Sequence, residues 1–513
     1  MNIKIIGLGF LLVGCVGNLS NSSSSSNSTT DQSLSDSNSI AYSNIAKINI
    51  FSINDLHGAI TADDHYGIAK FGKYIKDNSK SDEVNIKIAN GDMFQGTALS
   101  YYSQGKAIVD ILNELQFDEF TIGNHEFDWG TDYLREFQDG VLENGEANFP
   151  FLGANIYSTV SGELMDFVSE YTIVEQQGLK IGIIGVIGYG LENSIAASML
   201  TGIEFKHQRD IVLGLTSELR INQGCDLVIV ANHNGDTSDG RNFYENTQLL
   251  VSNPDQKIDV LINGHTHYPY VSYASNQNAS VPIIQSAANG QYLGKITLSY
   301  DRSQKKVINS QAINIAEGSL SGSDSNILNI IHQEEDLINP IINRIIGTLG
   351  DNTSREMLAV WEANLLKAAT GADIGMVNNG GIRSYNYYNN QEIMVSDVLR
   401  MMPFDNVVKT VLLTKQQVLQ CRSQYDLATS MNLYYSGSTA YLNGNELVDG
   451  VQYKVSAIDY IFDKEENPFL SGSQIVLTTL LARELMLEEI ELQTEAGSKW
   501  YPSHETVLLT NHL

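Results

Sequence analysis

Hydrophobic positions in the first half of the chain gather into short β-like runs, and five of those runs end in polar clusters. Lys47–Ile53 alternates and leads into Asn54-Asp55-Leu56-His57-Gly58. Val84–Ile88 leads into Asn90-Gly91-Asp92, and Glu119–Ile122 into Gly123-Asn124-His125-Glu126-Phe127-Asp128. Asp226–Ala231 leads into Asn232-His233, and Asp259–Ile262 into Gly264-His265-Thr266-His267. Strand-length runs with helical patterns between them predict αβ units. In layered α/β folds the chemistry lies just beyond the carboxyl ends of the strands, so separated clusters can converge on one cleft. The Ser- and Gly-rich stretch 318–323 closes this pattern, and Asn326–Ile346 then spaces its Ile and Leu as a helix does.

The clusters hold five of the ten histidines, with carboxylates and an amide beside them. These are the ligand types of a site for two divalent cations, with zinc, manganese, cobalt and iron all suited to the mixture. Asp92 is the natural bridge, because its two oxygens can each face one ion. Asp55 and His57 can grip one ion, Asn124 adds a neutral amide oxygen, and His265 and His267 can each serve a different ion. No cysteine falls in a cluster, which argues against a closed thiolate zinc site. Such a site makes hydroxide available to attack phosphorus near neutral pH. His125 is read as a non-ligand. Asp128, expected at the start of the next helix, would orient its ring to stabilise the attacked phosphate or protonate the leaving oxygen. One such cluster alone is weak evidence; five in order, all at strand ends, are strong. His65, His207, His332, His504 and His512 lack comparable neighbours and are read as ordinary solvated or capping residues.

The clusters resemble those of the calcineurin-like metallophosphoesterases, and in their full form those of the 5'-nucleotidase group, which implies hydrolysis of extracellular nucleotides and extends to UDP-sugars. The resemblance implies a catalytic α/β domain built as a four-layer α/β/β/α sandwich, joined by a linking helix to a C-terminal α/β substrate-binding domain. It implies one metal held by Asp55, His57, Asp92 and His267, and a second by Asp92, Asn124, His233 and His265. His125 with Asp128 would be the catalytic pair. In Asn378-Asn379-Gly380-Gly381-Ile382-Arg383, the resemblance places Arg383 on substrate phosphate and marks Asn379 as a substrate contact. Glycines there let backbone approach a ligand, and a guanidinium forks phosphate. In Met402-Pro403-Phe404-Asp405-Asn406 it makes Phe404 a stacking wall for a nucleobase, with Tyr460 as the second aromatic. Two departures stand out. Lys464-Glu465-Glu466 replaces the family's Gly-Gly-Asp turn, and the helix start around Arg355–Leu365 is poorly matched. They keep open a 2',3'-cyclic-nucleotide phosphodiesterase with 3'-nucleotidase activity. A retired scaffold serving only as a surface binding protein is the remaining alternative, and the complete ligand set argues against it.

A chain of 513 residues fits two domains. The expected boundaries are a signal segment 1–15, a Ser/Asn-rich tether 16–44, a catalytic domain 45–318, a linker 319–348 and a second domain 349–513. The balance of 31 basic against 60 acidic residues gives −29, which repels nucleic-acid backbones and anionic lipid. The expected substrate is therefore a nucleotide or other small phosphate ester rather than a duplex. Lys4 followed by the apolar run Ile5–Val13 reads as a secretory signal. Leu12-Val13-Gly14-Cys15 looks like a bacterial lipobox, which implies lipidation of Cys15 and attachment at the cell surface through that anchor alone; the alternative is a plain signal peptide with an incidental cysteine and a soluble periplasmic or extracellular protein. Cys225 precedes a buried-looking run and is read as a small core residue.

Overall fold

The computed structural model describes residues 42–61, 66–141, 145–195, 197–235, 253–275, 280–424, 426–462, 467–505, 507–510 and 512. Cys15, most of the expected tether, His65 and Lys464–Glu466 lie outside the described residues. Tyr42–Leu513 is a compact unit.

Two six-stranded sheets carry the first part of the chain. In the first, Ile45–Ile53, Val84–Asn90, Glu119–Thr121 and Phe151–Leu152 run parallel; Tyr292–Asp301 pairs antiparallel with Ile45–Ile53, and Lys306–Ala316 antiparallel with Tyr292–Asp301. In the second, Leu179–Ile187, Leu227–His233, Val260–Asn263 and Ser280–Ser286 run parallel, edged by Tyr171–Gln176 and Pro269–Ser275. Alternation of side chains along each strand explains the layering. Ile48 and Ile50 point into a core shared with Ile181, Ile183, Ile229 and Ile262 of the other sheet. Phe51 and Ile53 face the opposite way and join Ile68, Phe71 and Ile75 of helix Gly67–Asn78. On the far side, Val228, Val230 and Leu261 meet Val212 of helix Gln208–Ser217. Cys225 is buried in that last layer. The expected α/β/β/α sandwich is thus the architecture found. Because the central strands of each sheet are parallel, the carboxyl ends within a sheet open on one side.

Helix Ser325–Ile342 follows, capped by Asp324, whose side chain accepts from the N–H groups of Asn326 and Ile327. It ends four residues before the expected Ile346, and Ile345–Thr348 is a strand instead. The helix runs through Pro340 and stops at its C-cap Asn343, because Ile345–Thr348 pairs antiparallel with Glu392–Met394 instead. Ile327, Ile331, Ile338 and Ile342 bury one face of this helix.

The C-terminal part is a mixed sheet ordered Leu427–Thr429, Ile374–Asn378, Gln452–Ile458, Val407–Thr414, Ser473–Leu481. Helix Arg355–Thr370 backs it, started by Ser354, whose side chain accepts from Met357 N–H. Gly371 ends it in the left-handed conformation (φ 58°), which glycine adopts without a Cβ penalty. No helix among the described residues is long and apolar enough to cross a membrane.

Candidate active site

All five polar clusters meet at the carboxyl ends of the central strands. Backbone pairing continues past Ile53 and Asn90, so the first two loops stay zipped together. Asp55 N–H donates to Gly91 O (2.9 Å) and His57 N–H to Asp92 O (3.0 Å). Gly91 has a positive φ, and a Cβ there would strike the His233 ring; a Cβ on Gly123 would strike Asp92. Close approach of backbone to ligand side chains thus requires glycine at both places. Asp55, His57, Asp92, His265 and His267 all have φ between 51° and 72°. Such left-handed backbone is uncommon for these residue types and collects at functional sites.

The side chains then interlock. Asp55 accepts from Asn54 Nδ2 (2.5 Å) and from the His265 N–H (3.0 Å to each oxygen). Asp92 Oδ1 accepts from the His125 N–H at 2.8 Å. His57 Nδ1 stands 3.0 Å from Gln95 O, and His233 Nδ1 2.9 Å from Asn90 O. Each backbone carbonyl takes an N–H from Nδ1 and leaves Nε2 as the free donor atom.

Two donor groups result: Asp55, His57, Asp92 and His267, and Asp92, His233 and His265. Within each group the donor atoms lie within 4.8 Å of one another. Asn124 Oδ1 stands 2.9 Å from His265 Nδ1, beside the second group. The fit to cations can be judged from ring nitrogens that crowd together or lack a partner. His57 Nε2 and His267 Nε2 face each other at 3.0 Å. Buried His233 Nε2 is 3.1 Å from Asp92 Oδ2, yet makes no hydrogen bond of acceptable geometry. Converging imidazole and carboxylate donors of this kind fit a pair of divalent cations sharing Asp92. Burial pushes His57 down to about 4, and burial together with the neighbouring His233 does the same to His265. Both rings are therefore unprotonated near neutral pH, the form that ligates metal. Burial works against ionised Asp92, but the charges of His233 and His125 outweigh it and hold the carboxyl well below its ordinary range.

His125 and Asp128 flank this centre. They lie on a 3₁₀ turn, His125–Phe127, with Asp128 as its C-cap, rather than at the start of the next α-helix. In a 3₁₀ turn residues three apart eclipse, which brings His125 Nδ1 to 2.7 Å from Asp128 Oδ2. Burial alone would lower the imidazole pKa; the carboxylates of Asp128 and Asp92 override it and raise it to about 9.

A cavity of about 790 Å³ opens over the centre. Its lining joins His57, Asp92, Asn124, His125, Asp128, His265 and His267 to Arg383, Phe404 and Tyr460. Asn379 does not line it. Its Nδ2 donates to Asp426 (2.7 Å), because the 3₁₀ turn Asn379–Gly381 rotates it aside; Asn378 lines the cavity instead. Arg383 Cζ sits 5.0 Å from the Phe404 ring centroid, and Phe404 stacks at 6.2 Å and 26° on His125. Burial lowers the Arg383 pKa.

Sequence reasoning passed over Glu126. This buried carboxylate accepts from the N–H groups of Asp92, Met93 and Gly123, each at 2.8 Å, and so ties the Asp92 loop to the Asn124 loop. Burial and the Asp92 charge raise its pKa to about 7. Its only sequence signal is a carboxylate inside the Gly123–Asp128 cluster, between His125 and the apolar Phe127.

Comparison with known proteins places the chain. The calcineurin-like phosphoesterase family profile matches residues 48–269, and the 5'-nucleotidase C-terminal domain profile matches residues 307–471. Endonuclease YhcR of Bacillus subtilis (strain 168) is 26% identical over 446 residues, covering 82% of this chain and 34% of that protein. Trifunctional nucleotide phosphoesterase protein YfkN of the same organism is 24% identical over 483 residues, covering 80% of this chain and 32% of that protein. The chain spans between 32% and 58% of the length of the first three curated relatives it matches. The crystal structure of a 5'-nucleotidase precursor from Thermus thermophilus shares the fold, with a TM-score of 0.65, 17% identity, and 87% and 96% of the two chains covered. With both profiles matched in order over this shared fold, the chain belongs to the 5'-nucleotidase family, with a calcineurin-like phosphoesterase domain followed by a 5'-nucleotidase C-terminal domain.

Proposed function

We propose that the chain hydrolyses the phosphate ester of 5'-nucleotides outside the cytoplasm. The observation that carries this reading is one cavity with two kinds of wall. One wall is the paired donor groups with His125 and Asp128; the other is Arg383, Phe404 and Tyr460. Asp55, His57, Asp92 and His267 would hold one divalent ion, and Asp92, Asn124, His233 and His265 the other. Such a pair supplies positive charge to phosphoryl oxygens and acidifies a water.

The chain's own residues supply the rest. With its pKa raised to about 9, His125 is cationic at neutral pH. Its Nδ1–H donates to Asp128 Oδ2, which aims Nε2–H at the cavity to meet a phosphoryl or leaving oxygen. Arg383 adds a fixed cation on the opposite wall, and Asn378 a polar group beside it. These local cations counter the long-range repulsion that a net charge of −29 exerts on an anionic substrate. Phe404 and Tyr460 offer faces on which a nucleobase can stack. The signal-like N-terminus and Cys15 support export and lipid attachment.

The test is phosphate release from AMP, UMP, 3'-AMP, 2',3'-cyclic AMP and UDP-glucose with added zinc or manganese. Metal-dependent turnover of a 5'-monophosphate is expected. Turnover restricted to 3' or cyclic substrates would move the assignment to the phosphodiesterase alternative.

A further inference from the structure

Phe404 is flanked by two residues that are each tied across to the Asp92 side of the cavity. Before it, Pro403 O accepts from Gln95 Nε2 at 3.1 Å, and the Gln95 carbonyl is the group 3.0 Å from His57 Nδ1. After it, Asp405 forms an ion pair with Arg483. Arg483 lies at the start of helix Ala482–Glu495 and is 1% exposed. Its Cζ stands 4.1 Å from the ring centroid of Tyr101, on the short helix Ala98–Tyr102 that follows the Asp92 loop.

Arg483 Nε and Nη1 are buried without hydrogen-bond partners. A buried guanidinium needs compensation, so this one depends on the Asp405 carboxylate and the Tyr101 π face. The start of the same helix is also fixed to this loop, since Ala482 N–H donates to Asn406 O at 3.0 Å. Of these contacts only the Gln95 carbonyl reaches a donor group, at His57 Nδ1; the contacts of Arg483 do not. Together they determine where Phe404 sits relative to His125 and Arg383.

We propose that Arg483 is a positioning residue for base recognition: clamped between Asp405 and Tyr101, it holds Phe404 in register with the Asp92 loop. The proposal rests on the reading of Phe404 as the stacking wall for a nucleobase. Arg483 is not among the residues lining the cavity, so its removal should weaken recognition of the base and leave the phosphate chemistry in place.

The experiment compares kcat and KM for AMP with those for ribose 5-phosphate, which keeps the sugar phosphate and lacks the base. It uses the full chain loaded with metal. Tyr101→Leu removes the π face and keeps bulk; Arg483→Lys keeps the charge and loses the planar stack. Each should raise the KM for AMP by roughly five- to thirtyfold, the scale of a cation–π contact between exposed and desolvated settings. Both constants for ribose 5-phosphate should stay within about twofold, as expected when only base contacts are disturbed. Phe404→Ala is the control and should lower the preference for AMP over ribose 5-phosphate. If Phe404→Ala lowers that preference while neither other variant does, the positioning role is refuted and the stacking reading stands. If Phe404→Ala leaves the preference unchanged, the stacking reading fails and the proposal with it. Equal losses on both substrates in Tyr101→Leu and Arg483→Lys would mark a merely structural contact and also overturn it.

Discussion

Glu362 offers a test of the fold that needs no substrate. It lies inside helix Arg355–Thr370, fully buried, and neither carboxylate oxygen has a hydrogen-bond partner. Burial, the one cause acting on it, lifts its pKa from the ordinary 4.5 to about 8. That displacement corresponds to about 5 kcal/mol between the neutral and ionised forms in the fold. The folded pKa is the raised one, so the contribution is fully present below about pH 4.5 and is lost as pH rises through about 8. Stability should therefore fall by roughly 1.4 kcal/mol per pH unit across that window from this group alone. Glu362→Gln keeps the shape and cannot ionise, so its stability should lack this slope. Other titrating groups are common to both proteins and cancel in the difference. The assay is urea unfolding at pH 5, 7 and 9, read by tryptophan fluorescence. Trp361 is the adjacent residue, and its ring packs 4.8 Å from that of Trp500, so the probe reports this layer. The difference between variant and wild type should shift in the variant's favour by several kcal/mol from pH 5 to pH 9. A difference that stays constant within about 0.5 kcal/mol would refute the claim of a carboxyl held neutral by burial.

Three further outcomes follow from the site. Glu126→Ala leaves three closely bonded backbone donors without an acceptor, at about 1–3 kcal/mol each before water or relaxation compensates; weakened metal retention on dialysis is expected, and unchanged retention would count against the clamp. His125→Ala should lower kcat for AMP by about 10²–10⁴ with metal content intact, measured by steady-state kinetics beside elemental analysis. Arg383→Ala should raise the KM for AMP and for ribose 5-phosphate alike, because its proposed contact is to phosphate, and an effect confined to AMP would contradict that role.

The clusters were legible because each follows a run whose periodicity is local, and because carboxylates and imidazoles in that order have few ordinary uses. The runs predicted αβ units, and the sandwich came from the family resemblance. What stayed hidden depends on backbone conformation and on distant pairings. Nothing in the residue types of Asp55, Asp92 or His265 announces a left-handed backbone. Glu126 works through main-chain N–H groups, which every residue but proline carries. Asn378 and Asn379 are chemically identical, and only the turn decides which faces the cavity. Ile345 and Ile346 kept the helical spacing yet lie in a strand, because their partner Glu392–Met394 is far along the chain. Arg483 and Tyr101 meet only through the tertiary fold, so no spacing rule could pair them.

The central claim is that Asp92 is shared by two divalent ions that hydrolysis requires. The measurement that tests it most directly is metal content per chain alongside phosphate release from AMP, for wild type and Asp92→Ala, before and after chelation. The account predicts two bound ions and chelator-sensitive turnover in the wild type, with both ions weakened and turnover abolished in Asp92→Ala. Turnover that survives either the substitution or chelation would contradict it.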